Sequence, residues 1–233
     1  MAAAAAVGQE PLTRSVEDYL KTIYLLSQRG EPASTNDIAH QLELSAPSVS
    51  GMIKRLAEQG LVEHEPYKGV ELTPEGRRLA IRMVRRHRVL EAYLVAKLGY
   101  DWDGVHEEAE RLEHAVSDTL IERMASALGN PRVDPHGDPI PAADGTIDEL
   151  VFTPLHEVRT GSQVEIRRVD ASQPDRLRYL ATLGLKPGTV LTVLDQQPFN
   201  GPITVRTGDQ DHVVGHELSR TILCAPAQAA GEK

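Results

Sequence analysis

The sequence predicts a mainly α chain with small β parts: an N-terminal winged helix-turn-helix, a helical middle region and a small C-terminal β-barrel. Three observations carry that prediction. Apolar residues recur at helical spacing from residue 15 to about residue 128. Within that stretch two short capped helices are followed by a two-strand signal that ends at Thr73. Beyond residue 152 the apolar runs shorten and are broken by glycine turns.

The first helix is expected over residues 15–28, with Val16, Leu20 and Ile23 on one face and a capping box in Ser15, Val16, Glu17 and Asp18. Gly30 and Pro32 end it. A second helix over 35–42 turns Ile38, Ala39 and Leu42 inward. Ser45 caps a third, with Pro47 in its first turn, where a missing N–H costs nothing. Val49, Ile53 and Leu56 are its buried face and Gly60 its end. Leu61 and Val62 should pair with residues 70–72 around a tip of Tyr67, Lys68 and Gly69. Thr73 and Pro74 start a helix reaching about Lys97, and a turn over 99–104 leads into another over 105–128. Residues 129–145, rich in Pro, Gly and Asp, read as a linker or ordered loop. Strands are expected at 164–166, 190–194, 203–205 and 213–214, a β-barrel of about 70 residues.

Composition limits the function classes. No segment approaches the roughly 18 apolar residues of a membrane span, so no membrane partner is expected. The opening MAAAAAV lacks a positive n-region and reads as a floppy tail. A single cysteine, Cys224, allows no intramolecular disulfide, which suits a reducing cytoplasm. The net charge of −9 argues against nucleic acid until its distribution is considered. Residues 14–90 hold 12 Lys/Arg against 10 Asp/Glu, whereas residues 91–160 hold 5 against 15. The basic third carries the winged helix; the acidic third asks for a cation.

In a winged helix-turn-helix the second helix of the motif enters the major groove with its N-terminal residues at the base edges. Here that end presents Ser45, Ala46, Pro47, Ser48 and Ser50, with Lys54 and Arg55 one turn on and Lys68 at the wing tip. Small and hydroxyl side chains allow close approach and phosphate hydrogen bonds. No Arg, Asn or Gln occupies the first turn, so shape and methyl contacts should carry part of the specificity.

The acidic third contains AERLEH, and His106, Glu110, Glu113 and His114 fall on one stripe about 100° wide if the helix is continuous. One helix earlier, His87 and Glu91 stand four apart. Two helices each offering imidazole and carboxylate can close a site in a bundle, and such donors without thiolate suit Mn²⁺, Fe²⁺ or Zn²⁺. The inverted zinc-peptidase signature H-x-x-E-H is not met, because Glu110 stands where its first His is needed. A solvated acidic helix is the plainer alternative.

The stretches SVEDYLKTIYLL, SAPSVSGMIKRLAEQGLVEHEPYKGVELTPEGRRLA, VRRHRVLEAYL, VHEEAERLEHAVSD and HGDPIP, in this order, resemble the metal-dependent repressors of the diphtheria-toxin-repressor and manganese-transport-regulator type over about residues 15–142. The C-terminal region resembles the SH3-like domain that many members append. The resemblance implies a primary metal site at Asp18, Glu110, Glu113 and His114. It implies an ancillary site at His87, Glu91 and His106, with further oxygen ligands from the SH3-like domain, for which Gln173 and Asp175 are the candidates. Iron-type members tend to carry Met and Cys where this chain has Asp18 and Glu110, so hard oxygen here favours Mn²⁺, with Fe²⁺ the alternative. Two positions depart from the pattern: Lys21 stands where small manganese regulators carry Glu, and Gly51 where iron-type members carry a base-contacting Gln.

The expected organisation is a tail over 1–13, the DNA-binding domain over 14–76, a helical metal-binding and dimerisation domain over 77–144, a linker over 145–157 and the SH3-like domain over 158–226. The expected function is a manganese-responsive repressor that binds double-stranded operator DNA as a homodimer. Leu112, Val116, Leu120 and Met124 are the expected dimer seam. An iron-responsive repressor and a zinc-dependent hydrolase are the alternatives.

Overall fold

A computed structural model describes residues 12–28, 30–65, 68–148, 150–171 and 173–227. The expected tail up to residue 11 and Tyr67 of the expected wing tip lie outside the described residues. The chain divides into two compact units, Met1–Val84 and Arg85–Lys233.

In the first unit, helix α1 (Arg14–Ser27) is capped by Thr13, whose extended backbone lets its side chain accept from the Val16 amide at 3.4 Å. The expected capping box on Ser15 does not form, because the chain turns helical two residues earlier. Asp18 is therefore not a capping acid. Helix α2 (Thr35–Gln41) is capped by Ser34 and α3 (Ala46–Glu58) by Ser45. Leu20, Ile38, Val49, Ile53 and Leu56 are buried between them, each contributing about 1.5–3 kcal/mol. Strands β1 (Val62–Glu65) and β2 (Gly69–Leu72) pair antiparallel as the wing, and Ala33 bridges to Val70 beneath it. Helix α4 (Pro74–Leu98) starts where the Thr73 hydroxyl accepts from the Gly76 amide at 3.1 Å. Gly76 is required there, since a Cβ would sit 1.9 Å from the Leu61 carbonyl oxygen.

In the second unit the expected long helix over 105–128 is broken. Helix α5 (Val105–Leu112) ends at Glu113, and α6 (Asp118–Ala127) begins afresh after Ser117, whose hydroxyl accepts from the Leu120 amide at 3.2 Å. A Ser-Asp pair offers the backbone a cap, and the cap wins over continued helix. Val89, Leu90, Ala109, Ile121, Ala125 and Ile140 form the core of this helical part. Residues 131–141 are an ordered loop: Asp134 Oδ1 accepts from the amides of His136 (2.8 Å) and Asp138 (2.9 Å).

The β part is one antiparallel six-stranded sheet in the order β3-β8-β4-β5-β6-β7. Its strands are β3 (Thr153–Pro154), β4 (Gln163–Val169), β5 (Val190–Gln196), β6 (Ile203–Thr207), β7 (Gln210–Val214) and β8 (Ile222–Pro226). Bulges in β4 and β5 bend it around a core of Leu155, Ile166, Leu177, Leu191, Val193, Val205 and Ile222. Two helices were not expected: α7 (Pro174–Thr182), which buries Leu177 and Leu180, and the short α8 (His216–Ser219). Trp102, from the turn before α5, belongs to this β-part core.

Candidate metal centre and DNA-binding element

Helix α4 presents His87 and Glu91 one turn apart, and both are buried. His87 Nδ1 lies 2.6 Å from Glu113 Oε2, and its Nε2 lies 2.9 Å from Glu91 Oε1 and 3.0 Å from His106 Nδ1. His106 Nδ1 lies 3.1 Å from Glu91 Oε1, and Glu110 Oε1 is 3.6 Å from His106 Nε2 and 3.8 Å from His87 Nδ1. His87, His106 and Glu110 thus each offer a ligand atom within 4.8 Å of the others. The break after α5 places Glu113 as its C-cap, fully buried, with His114 in the turn beyond and 3.5 Å from Glu113. The single-helix stripe expected from the sequence therefore stops at Glu113. His87, across the bundle, makes the contact to that carboxylate.

A second grouping joins Glu91 to two residues that the sequence had not marked as ligands. Glu91, Asp134 and His136 are all buried and offer ligand atoms within 4.8 Å of one another. Asp134 and His136 come from the ordered loop, where the D-x-H-x-D spacing of residues 134–138 was the available signal. His136 Nδ1 is 3.7 Å from Glu91 Oε2 and has no hydrogen-bond partner, while its Nε2 is 2.6 Å from the Trp102 carbonyl oxygen. The charges are strongly perturbed. Burial would push the Glu91 carboxyl up, but His87, His106 and His136 around it hold it well below the usual range. Burial, with the Asp138 and Glu91 carboxylates, pushes Asp134 up to about 7. Burial works against the His136 cation, yet the Glu91 and Asp134 carboxylates and the Trp102 carbonyl raise it to about 9.

These residues fit a divalent cation. Buried carboxylates and imidazoles converge, and no sulfur is among them; Cys224 sits in the β-part core. The remaining candidates lie as follows. Asp18 is part-exposed on α1, 3.9 Å from Arg14. Gln173 is exposed at the N-cap position of α7. Asp175 is exposed and paired with Arg178, and among the described residues it joins neither grouping above. Leu112, Val116 and Met124 pack partly on the helical core, while Leu120 is exposed.

On α3, Ser45, Pro47, Ser48, Ser50, Gly51, Lys54 and Arg55 are exposed and Ala46 is half-buried. Ser45 is used as the cap, and the Ser50 hydroxyl donates to the Ala46 carbonyl at 2.9 Å. A Cβ on Gly51 would meet nothing within 4 Å, so packing does not require that glycine. Lys68 is exposed on the wing, 2.5 Å from Glu65. An exposed recognition face and a buried carboxylate–imidazole centre in one chain define a metal-responsive DNA-binding regulator.

Comparison with known proteins gives the family. Residues 11–70 match the iron dependent repressor N-terminal DNA binding domain, 73–142 the iron dependent repressor metal binding and dimerisation domain, and 153–226 the FeoA domain. The diphtheria toxin repressor of Corynebacterium efficiens is 34% identical, over 87% of this chain and 95% of its own length. The iron-dependent repressor IdeR of Mycobacterium leprae is 31% identical, over 91% of this chain and 96% of its own. A solved manganese-dependent transcriptional repressor complex with manganese is 41% identical with a TM-score of 0.82, covering 91% of this chain and 99% of that one. The chain belongs to the iron-dependent repressor family, metal-dependent transcriptional repressors that bind DNA. It is a regulator and not an enzyme, which removes the hydrolase alternative. No helix of the described residues is long and apolar enough to cross a membrane.

Proposed function

We propose that the protein is a manganese-responsive repressor, acting in the cytoplasm as a homodimer on palindromic operators of metal-transport genes. The observation that carries this reading is the donor set: only carboxylate and imidazole at His87, Glu91, His106, Glu110 and Glu113, with three buried carboxylates counting Asp134. Hard oxygen and imidazole favour Mn²⁺ over softer alternatives. The likeness to a manganese-dependent repressor supports it, while the IdeR relatives keep Fe²⁺ as the second reading.

In this reading Glu110, Glu113 and His114 hold one ion together with Asp18, as the family resemblance implies. His87, Glu91 and His106 serve an ancillary centre, to which Asp134 and His136 contribute; Gln173 and Asp175 have no support beyond the resemblance. A bound divalent ion adds positive charge where these carboxylates cluster, in competition with the protons on the surrounding imidazoles. A metal that favours the DNA-binding form shifts the population toward that form. Moving a population from 1:99 to 99:1 in favour of the DNA-binding form takes about 5.5 kcal/mol of differential affinity. Ser48, Gly51, Lys54, Arg55 and Lys68 then meet the operator, with Ser45, Ala46, Pro47 and Ser50 shaping the helix end that approaches the groove.

The test is fluorescence anisotropy of labelled promoter DNA at fixed salt, with EDTA, Mn²⁺, anaerobic Fe²⁺ or Zn²⁺. Mn²⁺ should tighten binding at least tenfold, and Glu110→Ala should cancel the effect. Equal binding in EDTA would refute metal control, and a preference for Fe²⁺ would select the second reading.

A further inference from the structure

His136 is fully buried, and its two ring nitrogens have different surroundings. Nε2 is 2.6 Å from the Trp102 carbonyl oxygen. A carbonyl oxygen can only accept, so Nε2 must carry the proton. That leaves Nδ1 as the ring nitrogen that can give a lone pair once a metal displaces its proton. Nδ1 faces Glu91, 3.7 Å away, and finds no hydrogen bond. The Trp102 indole also stacks on the same imidazole, with centroids 5.7 Å apart and planes 28° from parallel.

The indole is itself held from the other side. It is 7% exposed within the core that Leu155, Ile166, Leu177 and Val193 form in the β part. The Lys186 ammonium lies 5.1 Å from its centroid. Its Nε1 has no hydrogen-bond partner among the described residues, so packing rather than a polar tether sets its orientation. The loop bearing His136 is fixed to the same part of the molecule: the Val169 amide donates to the His136 carbonyl at 2.9 Å, and Arg168 meets Asp138 at 2.6 Å.

We propose that Trp102 is the positioning residue of His136: its carbonyl fixes the ring as the Nε2–H tautomer, so that His136 ligates a metal through Nδ1, and its indole anchors that ring to the β part. The proposal rests on the reading of Glu91, Asp134 and His136 as a metal centre. A hydrogen bond from the far nitrogen to a carbonyl is the usual means of orienting a metal-bound imidazole, and losing such a partner commonly costs 10–100-fold in affinity.

The test uses the full chain labelled with ¹⁵N-histidine and titrated with ¹¹³Cd²⁺ as the diamagnetic probe, His136 being assigned by its loss in His136→Gln. The expected result is cadmium splitting at Nδ1 of His136, with Nε2 remaining protonated. In Trp102→Phe, which keeps the backbone carbonyl and an aromatic ring but loses the indole stack, cadmium should bind this centre about tenfold more weakly, with Nε2 still protonated. Splitting at Nε2 in the wild type, or a Trp102→Phe protein with unchanged affinity, overturns the positioning role. Splitting at His87 or His106 with none at His136 overturns it differently, by removing His136 from the ligands. No splitting at any histidine would refute the metal reading beneath it.

Discussion

Gly137→Ala tests how closely the ordered loop approaches strand β4. Gly137 has φ +90°, and a Cβ there would lie 1.9 Å from the Arg167 carbonyl oxygen and 2.7 Å from Arg168 Cα. Comfortable C···O contact needs about 3.3 Å, so the loop must retreat by roughly 1.4 Å. The left-handed backbone costs an alanine about 1–2 kcal/mol. Overpacking adds about 1–3 kcal/mol, and losing the 2.9 Å bond from the Val169 amide to the His136 carbonyl adds about 1 kcal/mol more. Gly129→Ala is the control: its φ is +77° but a Cβ there meets nothing within 4 Å, so it incurs the backbone cost alone. The two variants should differ by about 2–4 kcal/mol, a gap of roughly 5–15 °C in unfolding midpoint for a chain of this size. The assay is thermal unfolding in EDTA followed by Trp102 emission, which reports locally because the chain has one tryptophan. Midpoints within about 2 °C of each other would refute the steric account.

Mn²⁺ at a hundred times its dissociation constant should stabilise the protein by about 2.7 kcal/mol, with Glu113→Gln removing most of the gain; equal midpoints in Mn²⁺ and EDTA would contradict this. Cys224 is buried and its thiol is pushed up to about 12, so at pH 8 only about one molecule in ten thousand is thiolate. It should ignore a thiol reagent until the chain unfolds, and rapid native labelling would count against that burial. Lys54→Ala and Arg55→Ala should each lower the salt dependence of operator binding by about one phosphate contact, measured as the slope of log affinity on log salt. An unchanged slope for both would take them off the DNA backbone.

The winged helix was legible because each of its decisions is local: Ser45 as cap, Pro47 in the first turn, Gly60 as stop and Thr73 before Pro74. The capping of α1 was misplaced by two residues because Thr13 and Ser15 are chemically alike and only the backbone distinguishes them. The helical period over 105–128 continues through Ser117, so periodicity alone concealed the break that the Ser117 cap makes. Helix α7 was missed because Leu177 and Leu180 are a single i, i+3 pair between strands. Of the candidate ligands, His87, Glu91, His106, Glu110 and Glu113 stood out by helical spacing. Asp134 and His136 did not, because their meeting with Glu91 depends on an Asx turn and on the close approach of Gly137 to β4.

The absence of sulfur from the two groupings has a consequence for how their donors can be lost. Peroxide acts first on thiolates and thioethers, and none of His87, Glu91, His106, Glu110, Glu113, Asp134 and His136 carries sulfur, while the one thiol is enclosed in the β part. Carboxylates and imidazoles do not climb that oxidation ladder. None of these named donors can therefore be lost to sulfur oxidation, whichever divalent ion they hold.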